Sequence, residues 1–246
     1  MISEITFSKK FTAFWNQILP NSKNYIRLIN AGLTERVYEP LTPARRKNNI
    51  ALINVISFEL VKAVVERKLT IDDVSEKYFF KSDEFKFISD SSVSFLSKFS
   101  YGNEVELPLD SDEINEVLVL YKAIYSRYVA NSKTVQIEPE FSGCGFINQA
   151  NGDIACDGTL VELKSGERNF SVMDLRQILT YCALNHFMKA PLIIEKIELF
   201  NPRMGIAYSE DIESFCQNLS ALSSRELFSE IQNFITDINF VEEYGT

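Results

Sequence analysis

Apolar and polar positions recur with two different periods along this chain, and the changes of period mark out its elements. Over residues 50–67 the apolar side chains Ile50, Leu52, Val55, Ile56, Leu60, Val61, Val64 and Val65 crowd at helical spacing, which predicts a mostly buried helix. Thr70 followed by Asp73 predicts a short capped helix, and Ser91 or Ser92 begins another through Val93, Phe95, Leu96 and Phe99. Tyr101-Gly102-Asn103 and Pro108 then punctuate the pattern and place a boundary between residues 1–108 and 109–246. Beyond it, Asp110 and Glu113 form a capping-box pattern ahead of a helix with the stripe Ile114, Val117, Leu118, Tyr121, Ile124, Tyr125 and Tyr128.

The period then shortens to two. Residues 134–147 predict a first strand, in which Gly143 and Gly145 suggest a bulge or a close backbone approach. Residues 152–164, GDIACDGTLVELK, predict a β-hairpin, because Asp157-Gly158 suits a two-residue turn that needs φ > 0 at both positions. With that pair at the tip, Cys156 faces Thr159, Ala155 faces Leu160, Ile154 faces Val161, and Asp153 lands opposite Glu162. Residues 196–200 predict a further strand, 201–205 a turn and 206–208 a return, followed by amphipathic helices over 210–219 and 224–238.

The hairpin has one apolar face (Ile154, Cys156, Val161, Leu163) and one polar face (Asp153, Glu162, Lys164). Cross-strand partners have Cβ atoms ~5 Å apart, where like charges are destabilising. At an effective dielectric of ~20 the repulsion is on the order of 3 kcal/mol. A bound divalent cation removes it, since Mg²⁺ is typically held by one or two carboxylates and keeps several waters. The next helix begins at Ser171, with Asp174 at its N3 position and an apolar stripe of Val172, Leu175, Ile178, Leu179 and Cys182. Gln177 and Tyr181 are four residues apart on it, hence on one face, and can point together at whatever the hairpin binds.

Composition adds three constraints. At 246 residues and 46% hydrophobic content the chain can bury a sizeable core. No apolar run approaches the ~18 residues of a membrane span, and the opening MISEITFSKK lacks a signal-peptide apolar region, so a cytoplasmic protein without a membrane partner is expected. Net charge is −9, divided as +2 over residues 1–108 (15 Lys+Arg, 13 Asp+Glu) and −11 over 109–246 (10 against 21). Nucleic-acid affinity comes largely from cations neutralising phosphates. The acidic half should therefore grip a duplex poorly by itself, leaving that task to the N-terminal half or a partner protein. Arg45, Arg46 and Lys47 could meet phosphates or could simply be a solvated helix start. The aromatics Tyr78, Phe79, Phe80, Phe85 and Phe87, interleaved with lysines, could stack bases but more often fill a core or a protein contact. His186 has no His partner for a metal site and reads as structural.

A Gly-Asp on one strand, Glu-x-Lys on the next and Gln-x-x-x-Tyr on the following helix resemble the PD-(D/E)XK nuclease superfamily, closest to its RecB-like branch. Gly152 stands where the family motif has proline. The resemblance covers about residues 110–208. It implies an α+β, restriction-endonuclease-like core (helix, three strands, helix, strand in a mixed sheet) behind a mostly helical N-terminal region. It also implies that Asp153 and Glu162 bind Mg²⁺ or Mn²⁺, that Lys164 positions or activates the attacking water, and that Gln177 and Tyr181 contact substrate or order the site. Members often carry an extra acidic residue on the first core helix. Glu113 lies nearer the apolar stripe than Glu116 and is the better candidate metal ligand, although a Glu in a first helical turn is already explained by the helix dipole.

The implied activity is metal-dependent hydrolysis of nucleic acid, DNA favoured, beside a protein partner or in a homo-oligomer. Small nucleases of this kind often serve anti-phage or restriction systems. Arg168 and Arg203 are candidate phosphate contacts, or ordinary surface arginines. Some RecB-like members hold an iron–sulfur cluster, but Cys144, Cys156, Cys182 and Cys216 lack the spacing for one and read as reduced, mostly buried thiols. The competing reading is a catalytically silent nuclease fold that serves as a binding or assembly module in a larger complex.

Overall fold

A computed structural model of the chain describes residues 1–42, 45–76, 78–98 and 105–237. The chain opens with three short helices, α1 (Glu4–Lys9), α2 (Thr12–Ile18) and α3 (Ser22–Leu28), and a two-residue strand, β1 (Glu35–Arg36). Three more helices follow, α4 (Ile50–Val65), α5 (Ile71–Ser75) and α6 (Asp83–Ser97). Next come α7 (Ser111–Tyr128), β2 (Val135–Ile137), the small pair β3 (Glu140–Phe141) and β4 (Ala150–Asn151), and the hairpin β5 (Ile154–Cys156) and β6 (Thr159–Leu163). The chain continues through α8 (Val172–His186), β7 (Lys196–Asn201), β8 (Ile206–Asp211), α9 (Ile212–Ser220) and α10 (Ser224–Thr236).

The fold is α+β around a mixed six-stranded sheet in the order β1-β8-β7-β6-β5-β2. Among the described strands only β6 and β7 run parallel, and α8 is the crossover that such a pair requires. The hairpin has the expected register, Ile154 with Val161, Ala155 with Leu160 and Cys156 with Thr159. Its turn places Asp157 at φ 43° and Gly158 at φ 79°.

Alternate residues of each central strand feed different cores. Leu160, Ile197, Leu199 and Tyr208 pack on one face with Leu175, Ile178 and Leu179 of α8, with α9 and α10, and with Phe7, Trp15 and Tyr25 of the first three helices. Ile154, Cys156, Val161 and Phe200 pack on the other face with α4, α5, α6 and α7. Both cores therefore draw on residues from either side of position 108, and β1 adds an N-terminal edge strand. The division at 108 is not a division of the core.

Other expectations need correction. Residues 134–147 do not make one strand. The chain leaves β2 at Glu138, whose φ of 52° takes it out of extended conformation, and Pro139 follows. Close backbone approach is what the glycines serve: a Cβ on Gly145 would sit 1.8 Å from the Ile235 carbonyl oxygen of α10. Helix α6 starts at Asp83, capped by the Ser82 hydroxyl, and not at Ser91 or Ser92. Ser92 sits inside it because its hydroxyl donates to the Ile88 carbonyl, a back-bond that lets serine remain within a helix. Phe99 and Tyr101-Gly102-Asn103 fall outside the described residues. The stretch Lys47–Val65 is in fact long and apolar enough, by length and composition alone, to cross a membrane. Its Leu52, Ile53, Ile56, Leu60 and Val61 are fully buried in the core shared with α7, as in a core helix. Of the aromatics before and within α6, Phe79 and Phe85 are buried, whereas Tyr78 and Phe87 are exposed.

Because residues 1–108 cover both faces of the sheet, an isolated fragment of residues 109–246 should not fold. Circular dichroism of that fragment is expected to show no cooperative thermal transition, whereas the full chain should melt in one.

Candidate functional site

The polar face of the hairpin meets the first half of α8. The start of that helix is set by the capping box of Ser171 and Asp174, with the Ser171 N–H donating to Asp174 Oδ2 at 2.7 Å. From that start, helical spacing turns Gln177 and Tyr181 towards the hairpin. Lys164 Nζ donates to Glu162 Oε1 at 2.6 Å and to Gln177 Oε1 at 2.7 Å. Gln177 Nε2 in turn donates to the Tyr181 hydroxyl at 3.0 Å. Asp153 Oδ2 accepts the Leu163 N–H at 2.6 Å, so its carboxylate is turned across the hairpin towards β6. Asp153, Glu162, Lys164, Gln177 and Tyr181 thus come together in one site.

Its electrostatics follow from burial. Glu162 is 3% exposed, and its Oε2 has no hydrogen-bond partner. Desolvation, reinforced by the Asp153 carboxylate, pushes its pKa up to about 8, with Lys164 opposing. Asp153 is also raised, mainly by burial, against the Leu163 N–H and Lys164. Burial by itself would lower the Lys164 pKa, but Glu162, Asp153 and Asp174 outweigh it and hold the ammonium above the usual lysine value. Lys164 is therefore a cation that can orient a water or a phosphate oxygen, and not a neutral base.

Asp174 lies 3.9 Å from Lys164 Nζ and is gripped by Arg168 through two hydrogen bonds of 2.7 and 2.9 Å. Desolvation opposes ionisation of Asp174, yet Arg168 and Lys164 hold its pKa below the ordinary value. The loop after Lys164 is clamped from two sides. Asn54 of α4 donates to the Ser165 carbonyl at 2.8 Å, and the fully buried Asn201 donates to the carbonyls of Gly166 and Arg168.

No protein-family model matches the chain, and no curated protein is significantly similar to it.

Several expected site residues lie elsewhere. Glu113 is not with the hairpin carboxylates; it accepts from Arg46 Nε and Asn49 Nδ2, each at 2.8 Å, and from the Asp110 N–H. Its capping role at the start of α7 and the adjacent guanidinium account for it. Glu116 instead accepts from Arg203 Nη1 at 2.7 Å. Arg203 is 1% exposed and also reaches Asn54, so burial removes it as a phosphate contact. Arg46 is engaged by Glu113, with Glu106 and Asp110 each 3.9 Å away. Arg45 lies 3.7 Å from Asp112, and Lys47 is exposed. Arg168 is half-exposed but already bound to Asp174. Cys156 and the pair Cys182 and Cys216 are buried on opposite faces of the sheet, which rules out a four-cysteine cluster. His186 is exposed, its ring near those of Phe187 and Phe228.

Sequence reasoning missed Glu4, which accepts from the Tyr181 hydroxyl at 3.2 Å, because nothing local to α1 points to α8. It also missed Asn54 and Asn201, whose bonds are to backbone carbonyls far away in the chain. Among the described residues no three His, Cys, Asp or Glu side chains cluster at metal-holding distance.

The raised Glu162 pKa makes a signed prediction. A carboxyl that binds its proton more tightly when folded contributes stability at low pH and loses it as pH rises from its ordinary 4.5 to about 8. In divalent-free buffer Glu162→Gln should therefore melt higher than the wild type at pH 8 to 9, with the gap closing towards pH 5. Thermal melts across that range check it, and a pH-independent difference would contradict it.

Proposed function

We propose that this chain is a metal-dependent nuclease with a restriction-endonuclease-like core, formed by α7, β2, β5, β6, α8 and β7. The observation that carries this reading is the meeting of the Asp153 carboxylate with the buried Glu162, one of whose oxygens is orphaned, beside a cationic Lys164. Two hard carboxylates and an unsatisfied oxygen suit Mg²⁺ or Mn²⁺. Bound there, such an ion would polarise a phosphate oxygen and make water more acidic. Asp153 and Glu162 would hold the ion, and the Lys164 ammonium would orient the attacking water or a non-bridging oxygen. Gln177 keeps Lys164 in place, and Tyr181 keeps Gln177 in place. The substrate class is nucleic acid, DNA favoured, in an anti-phage or restriction setting with a partner protein or a second copy.

A second reading, a silent nuclease fold that serves as a binding or assembly module, has one observation in its favour. Arg46, Arg168 and Arg203 are all engaged by this chain's own carboxylates, which leaves few cations at the site for phosphate.

Two experiments separate the readings. Purified protein with Mg²⁺ or Mn²⁺ should cleave at least one of linear, circular or single-stranded DNA or RNA, and Asp153→Asn should abolish that cleavage with the fold intact. Asp157→Asn should retain most of it, because Asp157 sits on the order of 13 Å along the hairpin from Asp153. Its carboxylate there accepts the N–H groups of Lys133 and Thr134. Calorimetry should show divalent binding that disappears in Glu162→Ala. Full cleavage by Asp153→Asn would refute the assignment, and divalent binding without any cleavage would favour the silent module.

A further inference from the structure

Lys164, Gln177, Tyr181 and Glu4 form a line of hydrogen bonds whose two ends have opposite chemistry. Lysine has only donors, and a carboxylate has only acceptors. Between them stand a primary amide and a hydroxyl, each of which can point either way. Lys164 Nζ requires an acceptor, so it takes Gln177 Oε1 at 2.7 Å. The amide nitrogen then has to donate onwards, to the Tyr181 oxygen at 3.0 Å. Tyr181 is left with its proton, which it gives to Glu4 Oε1 at 3.2 Å. Only one assignment satisfies every link, and the two ends enforce it from opposite sides.

We propose that Glu4, at the first turn of α1, is a positioning residue of the site. Acting through Tyr181, it locks the Gln177 amide with its oxygen towards Lys164 and so fixes where the ammonium points. The inference rests on the nuclease reading for its consequence, but the lock itself is a property of the metal-free protein.

The placement of Glu4 is built into the fold. Ser3 caps α1 by accepting the Thr6 N–H at 3.1 Å, and the Ile2 N–H donates to the Phe146 carbonyl at 2.9 Å. The Asn148 N–H returns to the Ile2 carbonyl at 2.9 Å, so residue 2 is held on both sides. One turn further on, Phe7 is fully buried, and its carbonyl accepts the Trp15 indole N–H. Tyr181 is held just as firmly, buried and with its ring stacked on Phe141 at 5.4 Å. Without the Glu4 carboxylate the Tyr181 proton loses its acceptor, and only Lys164 still holds the orientation of the Gln177 amide. If the amide flips in response, its NH₂ faces the ammonium.

The test uses the full chain as Glu4→Ala, Tyr181→Phe and the double variant, with Glu4→Gln as a shape-conserving control. In metal-free protein the side-chain NH₂ signals of Gln177, identified by their loss in Gln177→Ala, are read by ¹⁵N NMR. They should move in Glu4→Ala and in Tyr181→Phe, move no further in the double variant, and lie nearer wild type in Glu4→Gln, which keeps an acceptor oxygen. With Mn²⁺ and nucleic acid, Glu4→Ala should lower kcat about tenfold with KM and Mn²⁺ affinity unchanged. Gln177 signals that stay in place in both single variants, or effects that add in the double variant, would overturn the proposal. If the wild type fails to cleave, the nuclease reading falls, while the NMR arm still decides the lock.

Discussion

Two carboxylates meet where the hairpin joins α8: Glu162, buried on β6, and Asp153, the residue just before β5, whose Oδ2 accepts the Leu163 N–H. Leaving such charges buried without compensation costs several kcal/mol per ion. The surroundings read as an answer to that constraint. The Leu163 N–H takes one Asp153 oxygen, Lys164 takes one Glu162 oxygen, and burial beside Asp153 raises the Glu162 pKa. One Glu162 oxygen is still unsatisfied. A fold optimised for stability alone would replace the pair.

The same constraint explains why Lys164 needs so many partners. An ammonium with 15% of its side chain exposed is tolerable only among acids. Glu162 and Asp174 supply them, while Gln177 satisfies a further donor. Asp174 in turn is held ionised by Arg168, so a charge ladder runs from Arg168 at the surface through Asp174 and Lys164 to Glu162. Removing any rung leaves its neighbour uncompensated, and effects on the site should be strongly non-additive.

Cations expected to serve nucleic acid are largely spent on internal structure. Arg46 holds the start of α7 and Arg203 ties α7 to α4, while Arg127 pairs with the buried Glu198. The N-terminal region contributes less as a charged grip than as a scaffold. Its α1 brings Glu4 to Tyr181, and its α4 brings Asn54 to the loop after Lys164. On the nuclease reading, the net charge of −9 leaves attraction to phosphate to exposed residues such as Lys47 or to a partner.

The sequence by itself determined the local elements and the shape of the site. Hairpin register, capped starts of α5, α7 and α8, the strand pair after residue 196 and the shared face of Gln177 and Tyr181 all depend on neighbours within a few residues, whose turn chemistry and periodicity are readable. Tertiary structure decided whatever depends on distant partners. Glu113 looked available because it lies near the apolar stripe of its own helix, yet Arg46, 67 residues away, claims it. Arg203 looked like a surface cation in a turn, but α4 and α7 close over it. The apparent boundary at residue 108 is a real break in pattern that the packing ignores, because a two-faced sheet needs cover on both sides and helices from before and after it share each face. Glu4 shows the limit most plainly: a hydrogen bond spanning 177 residues leaves no periodicity, spacing or composition in the chain, and only folding brings its two ends together.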